Sequence, residues 1–268
     1  MKHLFLAIPN NCGSTLLYHA LGRCAQAKRL PGRCGEGQDY FNAHGKLRHF
    51  KRTLGPHPLR TNSLRLFTKE EGLYTDPTRY DWLRIKSAWA KAWGVVTPVL
   101  VEKSPANVAR WRMMQIEFPG SYWIFGIRNP YAMIEGILRR NPAIYPIDAA
   151  KHWLRCAQLL MDAIDQRDWT YHTWVTYELM TDAPDIAQQL IVKILPELED
   201  LNLTTNNETP NIANTTSLVN LNDQQIARLT QQQLDKINSI LSRDEPASVM
   251  RSWNYKAIET EGAACGCS

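Results

Sequence analysis

The sequence predicts an α/β domain with a central parallel sheet flanked by helices, and three observations lead there. The apolar run Leu4 to Ile8 and the β-branched or aromatic stretches Val99 to Val101, Tyr122 to Ile127 and Tyr171 to Val175 have strand length, and the first has the continuous character of a strand buried on both faces. Each is followed by a segment of helical spacing, and strands that alternate with helices imply a parallel sheet. The 268 residues, 44% hydrophobic and 21% charged, have an ordinary globular composition that excludes disorder and fibrous repeats. At this length one core can bury roughly three-quarters of the unfolded surface. The expected layout is a single domain over 1–268, with a basic and aromatic insertion at about 40–95 and a flexible tail at about 256–268.

The elements follow in order. The first strand stops at Pro9, a polar loop carries Gly13, and Leu16, Leu17, Ala20, Leu21 and Cys24 then recur at three- and four-residue steps. Asp76-Pro77 and Ser104-Pro105 each place a capping residue before a proline at the first helical position. Trp82, Trp89 and Trp93 share one helical stripe and are assigned to the core, ahead of a role as stacking platforms for an acceptor. His172 lies inside a strand and is expected to be structural. Residues 199–216, rich in Asn and Thr, are expected to form a long loop, and a helix from about Asn222 to Leu241 closes the fold.

Thirty-one Lys and Arg residues against 26 Asp and Glu give a net charge of +5. That is too little for a nucleic-acid binder and suits an anionic small ligand. No stretch approaches the ~20 apolar residues of a membrane span, and Leu4 to Ile8 is too short for a signal-peptide core, so a cytoplasmic protein is expected. The six cysteines form no disulfide ladder and are expected to be reduced. Cys265 and Cys267 lie in the expected tail. Between Ala43 and Thr68, six Lys or Arg and the three histidines His44, His49 and His57 stand without an acid. That stretch serves equally as an acceptor-facing insertion or a solvated basic surface.

The loop Pro9-Asn10-Asn11-Cys12-Gly13-Ser14-Thr15 joins a buried strand to a helix N-terminus, where open backbone N–H groups and the helix dipole favour an anion. It has one glycine and no lysine, so it departs from the G-x-x-x-x-G-K-[ST] loop that cradles nucleoside triphosphates. Two further strands run into loops through a cation, Lys103 in VEKSP at 101–105 and Arg128 in IRNP at 127–130. Ligands of open parallel sheets bind outside the carboxyl ends of the strands, which puts both cations beside an anion on the first loop.

With these pieces in order, the sequence resembles the sulfotransferases that use 3′-phosphoadenosine 5′-phosphosulfate (PAPS). The resemblance runs through IPNNCGSTLL at 8–17, RCGEG at 33–37, VEKSP at 101–105, FPGSYWIFGIRNPYAMIEGILRR at 118–140, TYELMTDAP at 176–184, and NLNDQQIARLT at 220–230 followed by Trp253-Asn254-Tyr255. It is to the bacterial branch, in a motif layout similar to the tyrosylprotein and Golgi-type enzymes. It implies a P-loop-like three-layer sandwich and transfer of a sulfuryl group to a hydroxyl, or an amine, with adenosine 3′,5′-bisphosphate as product and no metal. The acceptor, whether small molecule, glycan, lipid or peptide, stays open.

The resemblance also implies roles. Asn10, Asn11, Cys12, Gly13, Ser14, Thr15 and Leu16 would wrap the 5′-phosphosulfate, Arg128 and Arg140 would contact the 3′-phosphate, and Tyr177 would lie near the nucleotide. Lys103 would neutralise charge at the sulfuryl group or bridging oxygen, and Glu36 would take the acceptor's proton, with His44, His49 and His57 as competing bases. Asn11 stands where a Lys or Arg is common and joins Glu36 and Lys103 in the catalytic set. Gly136 stands where a serine is expected, so Arg139 or Arg140 would have to make up for the missing hydroxyl. A nucleotide-dependent phosphotransferase of similar fold and a non-catalytic anion-binding protein remain as alternatives.

Overall fold

A computed structural model of the chain describes residues 1–31, 36–37, 80–94, 97–165, 171–204 and 219–259. The strands β1 (Lys2–Ala7), β2 (Ala27–Arg29), β3 (Val99–Lys103), β4 (Tyr122–Phe125) and β5 (His172–Trp174) form one sheet in the order β2-β3-β1-β4-β5. Every pairing is parallel, with Leu6 opposite both Lys103 and Ile124. All strand ends therefore leave by one edge. Right-handed crossovers put α1 (Ser14–Leu21), which returns the chain toward β2, on one face. They put α2 (Trp82–Trp93) and α3 (Asn107–Glu117), which lead the other way, on the opposite face. Next come α4 (Pro130–Arg140), α5 (Pro146–Asp165), α6 (Tyr177–Asp182), α7 (Pro184–Ile194), α8 (Asn222–Ile226), α9 (Gln231–Leu241) and α10 (Asp244–Ser252). The α/β class and the helix-flanked parallel sheet are as the sequence predicts.

The core follows from the strand pattern. Leu4, Phe5, Leu6 and Ala7 have no exposed surface, as a two-sided strand requires. Phe5 meets Trp89, Phe118 and Trp123 with ring centroids 5.0–6.2 Å apart. Trp82, Trp89 and Trp93 are all buried, so the aromatic half of the expected insertion is core. His172 packs edge-on against Phe125 within the sheet. Cys12, Cys24 and Cys156 are free and buried.

Some boundaries differ. The first helix ends at Leu21 and Cys24 lies in the turn before β2, a three-residue edge strand with no apolar signature of its own. The helix expected at Ser104-Pro105 starts at Asn107, with Ala106 at its N-cap, and the Ser104 hydroxyl donates to Glu102. Helix α2 is capped by Asp81, whose carboxylate accepts from the Arg84 N–H, whereas Asp76-Pro77 lies outside the described residues. The closing helix is two, α8 and α9, divided where Thr230 and Gln233 form a capping box. Within the range expected for the tail, Ile258 is bonded to the body of the fold: its N–H donates to the Tyr131 hydroxyl and its carbonyl accepts from Asn238 Nδ2, while 260–268 lie outside the described residues. Among the described residues no helix is long and apolar enough to cross a membrane.

Candidate functional site

The chain leaves β1 toward β2 and leaves β4 toward β5, so the crevice between the loops after β1 and β4 is where the connections diverge. In the β1 loop Asn11 and Gly13 both take left-handed φ, 66° and 85°. Gly13 is the N-cap of α1, and a Cβ there would stand 2.8 Å from the Tyr177 ring. Helix α1 has no side-chain cap and no acid in its first turn. Its leading N–H groups, on Ser14, Thr15 and Leu16, have no partner within the helix and face outward with the positive end of the dipole. Leu16 itself packs against the core. Cys12 turns inward: its N–H bonds Pro9, its Sγ lies 3.3 Å from Met133 Sδ and 3.6 Å from the Asn10 carbonyl, and burial pushes the thiol well above its ordinary range. It shapes the loop from below and presents no side-chain group to an anion.

Lys103 ends β3 one strand away. Its Nζ stands 3.2 Å from Thr15 Oγ1 and 3.6 Å from Glu36 Oε1, and both charged side chains are about 5% exposed. Two residues 67 positions apart thus form a closely held acid and cation pair at the mouth of α1. Glu36 is held there through its neighbour. The Gly37 N–H donates to Glu102 Oε1 at 2.8 Å, and the Gly37 carbonyl accepts from Trp89 Nε1. Glu102 has no exposed surface. It also accepts from the Ser104 hydroxyl and from Asn107 Nδ2, and Asn107 Oδ1 accepts from Arg110.

Arg128 lies on the other side of β1. Nε donates to Asn222 Oδ1 at 2.7 Å, Nη1 donates to the Asn11 carbonyl at 3.1 Å, and the guanidinium lies 3.9 Å over the Tyr177 ring. Nη2 is buried without a hydrogen-bond partner among the described residues. Glu178, next to Tyr177, accepts from the Asn129 N–H, Asn222 Nδ2 and the Tyr255 hydroxyl. Helix α4 starts with Asn129 as its cap and Pro130 in its first turn. On it, Gly136 faces the Asn11 side chain: a Cβ at 136 would lie 3.2 Å from Asn11 Cγ. Arg140 shares that face one turn on, and burial, then the Arg139 charge, lowers its pKa from the ordinary arginine value. Arg139 pairs through Nε with Glu135 Oε1 at 3.0 Å.

The structure thus brings Glu36, Lys103, Thr15 and the α1 N-terminus together, and Arg128, Tyr177 and Asn11 together beside them. Asn11 belongs to the Arg128 and α4 side. Arg33, Cys34, Gly35, His44, His49, His57, Cys265, Cys267 and the rest of the basic stretch lie outside the described residues. Sequence reasoning missed Glu102, Asn107, Asn222, Glu178 and Tyr255 as parts of the site. Glu102 and Glu178 flank assigned residues, which is a faint signal, while Asn222 and Tyr255 have none that distinguishes them from surface polar residues. A separate cavity of about 490 Å³, lined by Met1, His3, Trp93 and Phe118, opens at the opposite edge of the sheet.

No protein-family model matches the chain, and no curated protein matches it. Among solved structures, a sulfotransferase domain from the curacin biosynthetic pathway aligns over 96% of this chain and 98% of its own, at TM-score 0.54 and 16% identity. The sulfotransferase domain of the Synechococcus PCC 7002 olefin synthase aligns over 91% and 94%, at TM-score 0.50 and 18% identity. The fold is shared with those domains along nearly their whole length.

Proposed function

We propose that this chain, which has the fold of the sulfotransferase domains, is itself a sulfotransferase that uses PAPS and a hydroxyl acceptor. The observation that carries the reading is the buried, partnerless Nη2 of Arg128, set across β1 from the Lys103 and Glu36 pair. One anion position is offered by the α1 N-terminus, Thr15 and Lys103, and a second by Arg128. Strands β3 and β4 flank β1, so the two positions belong to strands roughly 10 Å apart. A nucleotide with phosphates at both ends of its ribose suits that pair, and the Tyr177 ring beside Arg128 gives it an aromatic wall. When bound, PAPS supplies the activated sulfuryl group.

The side chains divide the work. Glu36 accepts the proton of the acceptor hydroxyl as the new O–S bond forms. Lys103 and the α1 N–H groups receive the negative charge that develops on the bridging oxygen as the old S–O bond breaks. Because the carboxylate and the ammonium are already 3.6 Å apart, both groups are positioned before the acceptor arrives. Arg128 holds the nucleotide and touches no breaking bond.

Isothermal titration with adenosine 3′,5′-bisphosphate, run beside 5′-AMP and Mg-ATP, tests the reading. Micromolar binding that needs the 3′-phosphate is expected. Preference for Mg-ATP would transfer the chain to the phosphotransferases, and no nucleotide binding would leave an anion-binding protein.

A further inference from the structure

Asn11 is held in an unusual way for a loop asparagine. Its backbone is left-handed, its carbonyl is taken by Arg128 Nη1, and its carboxamide makes no hydrogen bond among the described residues. That carboxamide lies against helix α4. Cγ, Cβ and Oδ1 lie 3.2, 3.4 and 3.4 Å from the position a Cβ would occupy at Gly136, one turn before Arg140. The residue whose carbonyl takes Arg128 Nη1 thus carries a polar group with two donors, the same guanidinium keeps a buried Nη2 without a hydrogen-bond partner among the described residues, and a Cβ at 136 would press on the carboxamide.

We propose that the Asn11 carboxamide, seated over Gly136, donates to the 3′-phosphate and sets the preference of this site for a 3′-phosphorylated nucleotide. The inference rests on the nucleotide reading above and adds a residue to it. Asn11 and Gly136 are then one device: a longer residue at 136 would displace the carboxamide, and the carboxamide does from the loop what a hydroxyl at 136 would do from the helix.

The test is calorimetric titration of the wild type, Asn11→Gly, Gly136→Ser and the double variant with adenosine 3′,5′-bisphosphate and with 5′-AMP. Glycine adopts φ near 66° without strain and keeps the carbonyl that Arg128 uses, so Asn11→Gly removes the carboxamide alone. It is expected to weaken the bisphosphate by roughly ten- to a hundredfold and to weaken 5′-AMP much less. Gly136→Ser alone should weaken the bisphosphate by crowding Asn11, and the double variant should recover most of the loss because the serine hydroxyl fits the vacated space. An Asn11→Gly protein that discriminates as the wild type does overturns the inference and leaves the nucleotide reading intact. Equal loss of both nucleotides also overturns it, because loop shape would then be what binds. A wild type that binds both nucleotides equally removes the nucleotide reading and the inference with it.

Discussion

A carboxylate without exposed surface is costly unless its lone pairs are used, and Glu102 uses them on the Gly37 N–H, the Ser104 hydroxyl and the Asn107 amide. Since Gly37 follows Glu36, that buried charge sets where the proposed base stands. In Glu102→Gln an amide NH₂ must face one of three donors, and Asn107 cannot turn to relieve it without giving up Arg110. The expected result is a fall in kcat of at least about tenfold with the affinity for adenosine 3′,5′-bisphosphate unchanged. Steady-state kinetics beside calorimetry check it, and equal losses in both would reduce Glu102 to a packing residue. At this scale the positions of Lys103 and Arg128 beside the first loop were legible because each stands in a short motif at a strand end, whereas Glu36 was singled out by the resemblance of RCGEG alone. Glu102 was not, since nothing in a sequence tells a carboxylate that points down into a core from one that points up.

Elements bind the site together across long separations. Helix α8 brings Asn222 to Arg128 Nε and to Glu178, and the segment after α10 brings Tyr255 to the same carboxylate. Asn222→Ala leaves a buried guanidinium N–H and a carboxylate lone pair without partners, each costing about 1–3 kcal/mol. Lower thermal stability and weaker nucleotide binding are expected together, read by calorimetry. Unchanged affinity would mean that Arg128 is positioned by Tyr177 and Asn11 alone. Strands β1, β3, β4 and β5 were legible from their composition, whereas β2, with the sequence Ala-Lys-Arg, forms only because β3 offers it an edge. The break between α8 and α9 was hidden because the polar run around Thr230 fits a continuous helix as well as a capped one. Helix α10 went unread because it carries Pro246, which the first turn of a helix tolerates.

At the scale of the whole molecule, the core holds a buried titratable histidine, His152 on α5, whose ring nitrogens lie within 3.9 Å of Cys156 Sγ. Burial alone lowers its pKa from 6.5 to about 3. The unfolded chain therefore takes up a proton below about pH 6.5 that the folded chain refuses until about pH 3, and stability falls as pH drops through that window. One such group adds a slope of up to about 1.4 kcal/mol per pH unit. Urea unfolding at pH 7 and pH 5 should show the wild type losing stability on the acid side and His152→Leu losing less; parallel loss in both would assign the acid sensitivity elsewhere.

The order β2-β3-β1-β4-β5 sets Glu36 and Lys103 on one side of β1 and Arg128 on the other, and the proposed function assigns proton acceptance to the first side and nucleotide holding to the second. Release of adenosine 3′,5′-bisphosphate from PAPS, followed in a mixed panel of phenol, alcohol, glycan and tyrosine-peptide acceptors for the wild type and Glu36→Gln, tests that claim most directly. Acceptor-dependent release by the wild type is expected, and none by a variant that binds the bisphosphate as tightly as before. Release by Glu36→Gln at the wild-type rate would contradict it.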